Sequence, residues 1–317
     1  MYYVGIDLGG TNISAGVVDE NFKILKKDSL PTNAERTAEE IVADMGKVVN
    51  SLIAQMGLSH ADIASVGIAS PGTVDHDHGV VVYANNLPFS DFPIVDELRK
   101  HVPVQNIFIE NDANAAAKGE AVAGCAKGVD TSVMITLGTG VGGGIIIDGK
   151  VYSGFNYAGA ELGHIVIEKD GEPCSCGRRG CWEAYSSATA LIRMTKEKMQ
   201  ECPNSLMWEL CGGELEHASG KTAFAAARQG DTAAQEVVDT YLSYLACGVS
   251  NIINIVQPKV LSIGGGVSNE REDSLMMPLR RLVAAERYTK DRGNQTEIRT
   301  ATLKNDAGII GAAVLGL

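Results

Sequence analysis

The sequence predicts an α/β protein made of two related halves. Three observations carry that expectation. Residues 2–19, YYVGIDLGGTNISAGVVD, read as strand, glycine turn, strand and acidic turn. The pattern returns in SVMITLGTGVGGGIIIDGK, which aligns Ser132 with Tyr3 at an offset of 129 residues, a faint internal duplication. Elsewhere apolar, strand-like runs alternate with segments of helical spacing, the order expected when helices cover the faces of sheets. At 317 residues the chain has length for one large domain or two of ordinary size.

In the first hairpin, Gly9, Gly10 and Thr11 stand between two β-rich runs, where bare backbone N–H groups and a hydroxyl can approach a phosphate. Asp7, just before the turn, can hold hydrated Mg2+ beside it. The same segment can also be only a hairpin. A third strand follows over 22–30, then a helix over 35–56, whose Ile41, Val42, Met45, Val48, Val49, Leu52, Ile53 and Met56 recur at helical spacing and form core. A buried strand over 63–69 ends in Ser70-Pro71-Gly72-Thr73, a place where α/β proteins put ligand groups and also an ordinary turn. Asn85 and Asn86 precede Leu87-Pro88 in a similar loop, with amides that suit hydroxyls or turn caps.

Residues 104–124 read as an apolar strand running directly into an alanine-rich helix, with Asn111 and Asp112 at the junction. Asp112 either caps the helix or acts as a general base, and spacing does not decide between them. In the repeated hairpin Thr139 offers a second hydroxyl, so the two turns can close on the phosphates of one nucleotide from both sides. Helical spacing dominates 186–256. Residues 259–269, KVLSIGGGVSN, then predict a strand ending in Gly264, Gly265 and Gly266 before a helix, with bare backbone suited to adenine or ribose. A last apolar helix is expected over 306–316.

The densest chemistry lies in residues 161–183, ELGHIVIEKDGEPCSCGRRGCWE. Cys174, Cys176 and Cys181 leave one position of a tetrahedral zinc site to fill, and His164 is the nearby candidate. Gly177 and Gly180 allow the tight turn that three thiolates on one ion need, and Arg178 and Arg179 between them lower its electrostatic cost. Four protein ligands make the site closed and structural. Glu161 and Glu183 bracket it, and a metal-bound imidazole keeps its other nitrogen for a ligand hydroxyl. Cys125, Cys202, Cys211 and Cys247 lack such spacing, and His60, His76, His78, His101 and His217 are read as incidental.

The formal net charge of −12 and pI near 5.0 argue against a nucleic-acid or anionic membrane surface. Seven cysteines and an opening MYYVGIDLGG with no basic, apolar leader point to a reducing, cytoplasmic setting. No apolar run approaches the ~18–20 residues needed to span a bilayer.

The motifs GIDLGGTN, SPG, ENDANAAA, LGTGVGGG, ELGH, CSCGRRGCWE and IGGGV together resemble the ROK family of sugar kinases, within the superfamily of actin, hexokinase and heat-shock chaperone ATPases. The resemblance covers essentially the whole chain. Its cysteine motif is specific, whereas the glycine loops are shared more widely. It implies a two-lobed, actin-like (ribonuclease H-like) ATPase fold with an interlobe cleft and a structural zinc site. The smaller α/β lobe would comprise 1–115 with 303–317 and the larger 116–302.

Residue by residue, the resemblance implies that Asp112 is the catalytic base. Asn111, Glu161, His164 and Glu183 would bond the sugar, with Gly72 and Asn85 nearby. His164, Cys174, Cys176 and Cys181 would bind zinc. Asp7, Gly9, Gly10, Thr11, Asn12, Thr139 and Gly140 would surround Mg2+ and the ATP phosphates, with Gly265 and Gly266 near the adenosine. The implied reaction is phosphorylation of a hexose 6-hydroxyl by ATP, a task of positioning and charge stabilisation in which a carboxylate takes the hydroxyl proton. Glucose is the leading sugar; N-acetylmannosamine, fructose, allose and mannose are alternatives. A non-catalytic sugar-binding protein is disfavoured by the intact Asp112 and phosphate turns. The family's repressors carry an added N-terminal helix-turn-helix, whereas here the first strand begins at residue 2 or 3. The implied partners are a sugar and ATP, with assembly as a homodimer or homotetramer.

Overall fold

The chain opens as expected. β1 (Tyr2–Leu8) and β2 (Asn12–Val18) pair antiparallel around the first glycine turn, and β3 (Ile24–Pro31) adds antiparallel to β2. This computed structural model describes residues 1–290 and 292–317. Helix α1 (Ala38–Gln55) starts at a capping box in which the Thr37 hydroxyl accepts from the Glu40 N–H and the Glu40 carboxylate accepts from the Thr37 N–H. β4 (Ile63–Ser70) returns parallel to β1. A small antiparallel sheet of β5 (Thr73–Asp75), β6 (Val80–Tyr83) and β7 (Ser90–Phe92) follows in a stretch that shows only turn signals in the sequence. After α2 (Ile94–Arg99), β8 (Ile107–Asn111) lies parallel to β4 and runs straight into α3 (Asp112–Val122).

The second sheet contains β9 (Ser132–Leu137), β10 (Val141–Ile147), β11 (Lys150–Tyr152), β12 (Val260–Gly264) and β13 (Glu297–Thr300). Its order is β11-β10-β9-β12-β13, while that of the first is β3-β2-β1-β4-β8. In both, the strands appear as third, second, first, fourth and fifth. The duplication that is faint in sequence is therefore complete in topology.

The helical stretch resolves into α4 (Glu183–Ser186), α5 (Ala188–Glu201), α6 (Leu206–Leu210), α7 (Thr222–Ala227) and the long α8 (Thr232–Val256), capped by the Asp231 carboxylate. The helix expected directly after Gly266 is instead a 3-10 turn over Gly266–Asn269, and α9 (Met276–Glu286) begins later. The final helix α10 (Ala307–Ala313) is shorter than expected, with a 3-10 turn over Lys304–Asp306 before it. No helix among the described residues is long and apolar enough to cross a membrane.

The chain divides into two compact units. One comprises Met1–Met134, Gly144–Ala160 and Ala301–Leu317, and the other Ile135–Gly143 and Glu161–Thr300. The boundary expected at 115 lies inside α3.

In the first unit the two faces of the sheet are chemically different. Val4, Ile6 and Leu8 of β1, Val66 and Ile68 of β4, and Ile107 and Ile109 of β8 join a core with the apolar stripe of α1. The opposite face carries Gly16, Gly5 and Gly67 in one register row across β2, β1 and β4. Helix α10 rests on that row. A Cβ on Gly5 would stand 1.8 Å from the Ile309 carbonyl oxygen, and one on Gly67 1.8 Å from that of Ala312. On the far side of α10, a Cβ on Gly311 would stand 1.7 Å from the Ala115 carbonyl oxygen of α3. Sheet, α10 and α3 thus stack at backbone-to-backbone distance.

Gly67→Ala is therefore expected to cost about 3 kcal/mol or more, because rigid backbone blocks the new methyl group. Gly10→Ala, with nothing within 4 Å of the new atom, should leave the melting temperature near that of wild type. Thermal melts of both variants check this, and equal melting temperatures would contradict the packing argument.

Candidate active site and metal cluster

Each unit carries part of the predicted constellation. In the first unit, the turn at Gly9–Asn12 is closed by the Gly9 N–H donating to the Asn12 carbonyl at 2.9 Å. Gly10, Thr11 and Asn12 are exposed, so the turn presents open backbone. Its brace is Thr32, a fully buried residue that sequence reasoning missed. The Thr32 hydroxyl donates to the Gly9 carbonyl at 2.7 Å and its N–H to the Thr11 carbonyl at 2.8 Å. Nothing in the local pattern marks a threonine after a strand as a brace.

Asp7 lies next to this turn on the glycine-bearing face of β1, where the first turn of α10 approaches it. A Cβ on Gly308 would be 2.6 Å from an Asp7 carboxylate oxygen. Burial, and then the charge of Asp112, push the Asp7 pKa up to about 6.

Asp112 is the first residue of α3, and the cap is Asn111. The Asn111 Oδ1 accepts from the Ala113 N–H at 3.0 Å and the Asn114 N–H at 3.2 Å, while its Nδ2 donates to the Gly72 carbonyl at 3.0 Å. The capping role weighed for Asp112 thus falls to its neighbour, whose carbonyl oxygen reaches back over the first turn. The Asp112 Oδ1 accepts from the Ala113 N–H at 2.8 Å. Its carboxylate is open to solvent at the surface, but the protein mass around it displaces the water beyond. That lost hydration raises its pKa against the opposing pull of its hydrogen bonds.

Gly72 has a φ of 94°, and a Cβ there would meet the Tyr83 carbonyl oxygen at 2.0 Å, so only glycine fits beneath Asn111. The exposed Asn85 accepts from the Tyr83 hydroxyl at 3.0 Å.

In the second unit, His164, Cys174, Cys176 and Cys181 come together, their ligand atoms all within 4.8 Å of one another. The His164 Nδ1 is 3.6 Å from the Cys174 sulfur, and the Cys176 and Cys181 sulfurs are 3.7 Å apart. A tetrahedron with metal–sulfur bonds of about 2.3 Å has edges of about 3.8 Å, so donor set and spacing fit zinc. The turn forms as its glycines require: Gly177 and Gly180 have φ of 84° and 77°, and the Cys174 N–H donates to the Arg178 carbonyl at 2.9 Å. Arg178 also reaches the His164 carbonyl at 3.2 Å, tying the two ligand segments together.

Glu183 connects this cluster to the second glycine turn. Its Oε2 accepts from the Val141 N–H at 3.0 Å, and its Oε1 accepts from the Ser175 hydroxyl at 3.2 Å. A Cβ on Gly140 would be 2.3 Å from the Glu183 carboxylate. Thr139 is held from the other side, its carbonyl accepting from the Thr189 hydroxyl at 2.8 Å. Gly265, with a φ of 82°, packs its Cα against the Leu137 backbone at the end of β9, and Gly266 faces open space. Glu161 is exposed, just before the 3-10 turn Leu162–His164.

Two sheets of identical strand order, each with a glycine turn after its first strand, and a Cys3His cluster define an α/β protein of the sugar-kinase type of fold. The family model for the ROK family matches residues 3–317, and the chain belongs to that family. A glucokinase from Thermotoga maritima is 40% identical over 312 residues, covering 98% of this chain and 95% of the relative. The crystal structure of a ROK family glucokinase from Streptomyces griseus, in complex with glucose and AMPPNP, matches with a TM-score of 0.81 at 36% identity, covering 99% of both chains. A xylose repressor from Bacillus subtilis is 30% identical, covering 98% of this chain and 75% of the repressor. The α/β fold expected from the sequence is the fold of that glucokinase structure.

Asp7 also yields a stability test. Its folded pKa of about 6 lies above the unfolded carboxylate value, so its contribution is fully present below the unfolded value and is lost as pH rises through 6. Asp7→Asn is expected to stabilise the unliganded protein by about 3 kcal/mol at pH 8, at roughly 1.4 kcal/mol per pH unit of displacement, with the gain vanishing below about pH 4. Melting temperatures at the two pH values check it; equal melting of both proteins at pH 8 would contradict it.

Proposed function

We propose that this chain is an ATP-dependent hexose kinase whose sugar is glucose and whose general base is Asp112. The observation that carries the reading is the release of Asp112 from capping: Asn111 satisfies the helix start, which leaves a partly desolvated carboxylate at the open end of α3. The glucokinase relatives support the substrate class.

In the proposed reaction the oxygen of the sugar 6-hydroxyl attacks the γ-phosphorus of ATP while Asp112 takes the hydroxyl proton. The new O–P bond forms, the bond to the bridging oxygen breaks, and ADP leaves. A raised pKa makes Asp112 a stronger base.

The remaining roles follow the resemblance. Asn111, whose Nδ2 donates to the Gly72 carbonyl, is proposed to bond a sugar hydroxyl as well. Glu161, His164, Glu183 and Asn85 are proposed as further sugar contacts. Gly9, Gly10, Thr11, Asn12, Thr139 and Gly140 are proposed to surround the ATP phosphates, and Gly265 and Gly266 the adenosine. Asp7 would hold hydrated Mg2+, which supplies charge neutralisation at the phosphates when bound. His164, Cys174, Cys176 and Cys181 would hold a structural zinc ion, with the other His164 ring nitrogen kept for the sugar. None of the seven cysteines forms a disulfide, which suits the reducing cytoplasm.

The test is a coupled ADP-release assay with Mg-ATP and a panel of glucose, mannose, fructose, allose, N-acetylglucosamine and N-acetylmannosamine. Glucose should be preferred. Preference for an N-acetyl sugar would move the substrate, and no turnover of any sugar would overturn the kinase reading. Asp112→Asn should keep glucose affinity and lower kcat by about 10³-fold or more, within the range of general-base effects; near-normal turnover removes Asp112 as base. Cys176→Ala should lose zinc, measured by metal analysis, together with glucose affinity. Unchanged affinity in the zinc-free variant would show that the metal does not organise the sugar contacts.

A further inference from the structure

Behind Asp112 lies a third acid that the proposed reaction does not use. Glu110, next to last in β8 and only 5% exposed, shares a register row with Ala69 of β4 and Asp7 of β1. It therefore stands on the same sheet face as Asp7. The Glu110 Oε1 accepts from the Asn111 N–H at 2.8 Å and from the Asn114 Nδ2 at 3.1 Å. Its Oε2 is 3.3 Å from the Nδ1 of His76, a histidine that sequence reasoning set aside as incidental.

The connections converge on one residue. Asn111 is held at its N–H by Glu110, at its Nδ2 by Gly72 and at its Oδ1 by the helix start. Asn114, one turn into α3, is held by Glu110 through Nδ2, and its Oδ1 is a buried acceptor with no partner in the structure. Asp112 thus sits between two residues gripped by the same carboxylate.

A helix start needs a cap, and Asn111 already supplies it. Fixing Asn111 and Asn114 by a buried charge exceeds that need, since a buried carboxylate is tolerated only with a cationic or multiple hydrogen-bonding partner. The partner in position to carry positive charge is His76. Its imidazole faces Glu110 from β8, Asp77 at 3.6 Å, Asp75 at the end of β5, and the Tyr157 ring edge-on at 4.8 Å. The Tyr157 hydroxyl in turn donates to Asp77 at 2.7 Å. The charged side chains that act on the ring, Glu110, Asp77 and Asp75, are acidic, an environment that favours imidazolium.

We infer that Glu110 and His76 are positioning residues for Asp112: Glu110 fixes the first turn of α3 that carries it, and His76 balances the buried charge of Glu110. This rests on the reading of Asp112 as the base. The hydrogen bond to Glu110 is the leading cause of a His76 pKa above the usual histidine range. The imidazolium therefore persists to higher pH than in an ordinary histidine, and the grip of Glu110 on α3 weakens as pH rises through the raised pKa.

The experiment compares pH profiles of kcat and of the glucose KM for the full-length wild type, His76→Gln and Glu110→Gln, with amide hydrogen exchange at Ala113 and Asn114. Wild type should show an alkaline fall in kcat that His76→Gln, which cannot titrate, abolishes. Glu110→Gln should lower kcat about tenfold, in line with the loss of a charged hydrogen bond, and speed exchange at both amides. His76 is about one-third exposed at its side chain, so its glutamine variant is expected to fold and decides the matter if Glu110→Gln does not. Wild-type kcat, KM and pH profile in folded variants would overturn the inference. Should Asp112→Asn retain turnover while Glu110→Gln still speeds exchange, the base reading falls and the positioning of α3 by Glu110 stands.

Discussion

Helix α10 lies on the first sheet at a distance that leaves no room for a Cβ atom, and the placement of the acids in that unit follows from it. Gly16, Gly5 and Gly67 form the row on which it rests, and Gly311 on its other side lets α3 approach equally closely. Side chains interposed in these layers would push α3, and Asp112 with it, outward by several ångströms. Because the contacts at Gly5, Gly67 and Gly311 are with backbone, they do not adjust by changing rotamers. The carboxylates of Asp7, Glu110 and Asp112 are therefore presented by a stack whose spacing is set by the chain itself.

That rigidity has an electrostatic consequence. The charge of Asp112 acts on Asp7, and the three carboxylates of this unit are each handled differently. Asp7 is left partly desolvated with a raised pKa, Asp112 is desolvated but reachable by solvent, and Glu110 is paired with His76 and accepts from two N–H donors. The two acids with raised pKa values are the two proposed to meet phosphate, magnesium and the sugar hydroxyl. Placing the uncompensated charge there is what a site for a cation and a proton requires.

The second unit is organised by a different constraint. The cysteine cluster lies between Trp182, fully buried against Gly248 of α8 with its indole N–H on the Tyr244 carbonyl at 3.0 Å, and Glu183, which bridges to the Val141 N–H. One tripeptide, Cys181-Trp182-Glu183, thus joins metal cluster, helical core and glycine turn. A disturbance at the thiols is transmitted within two residues to the turn that carries Thr139.

Much of this was legible in the sequence wherever the signal is local. The paired hairpins, α1, the junction of β8 with α3 and the four clustered ligands all declare themselves by short spacing or by periodicity, since neighbours in sequence settle φ/ψ and direction. The choice of Asn111 over Asp112 as cap was not legible, because both residue types suit the position and only the path into α3 separates them. Thr32 beneath the first turn, Glu110 with His76, and the row of Gly16, Gly5 and Gly67 under α10 were equally silent. Each depends on partners dozens to hundreds of residues away. By itself the sequence determined which chemistry the chain carries, in its acids, glycine turns and thiols. Tertiary structure alone decided which acid caps, which is buried and paired, and which stays free, because pairing and hydration are settled only when distant segments close on one another.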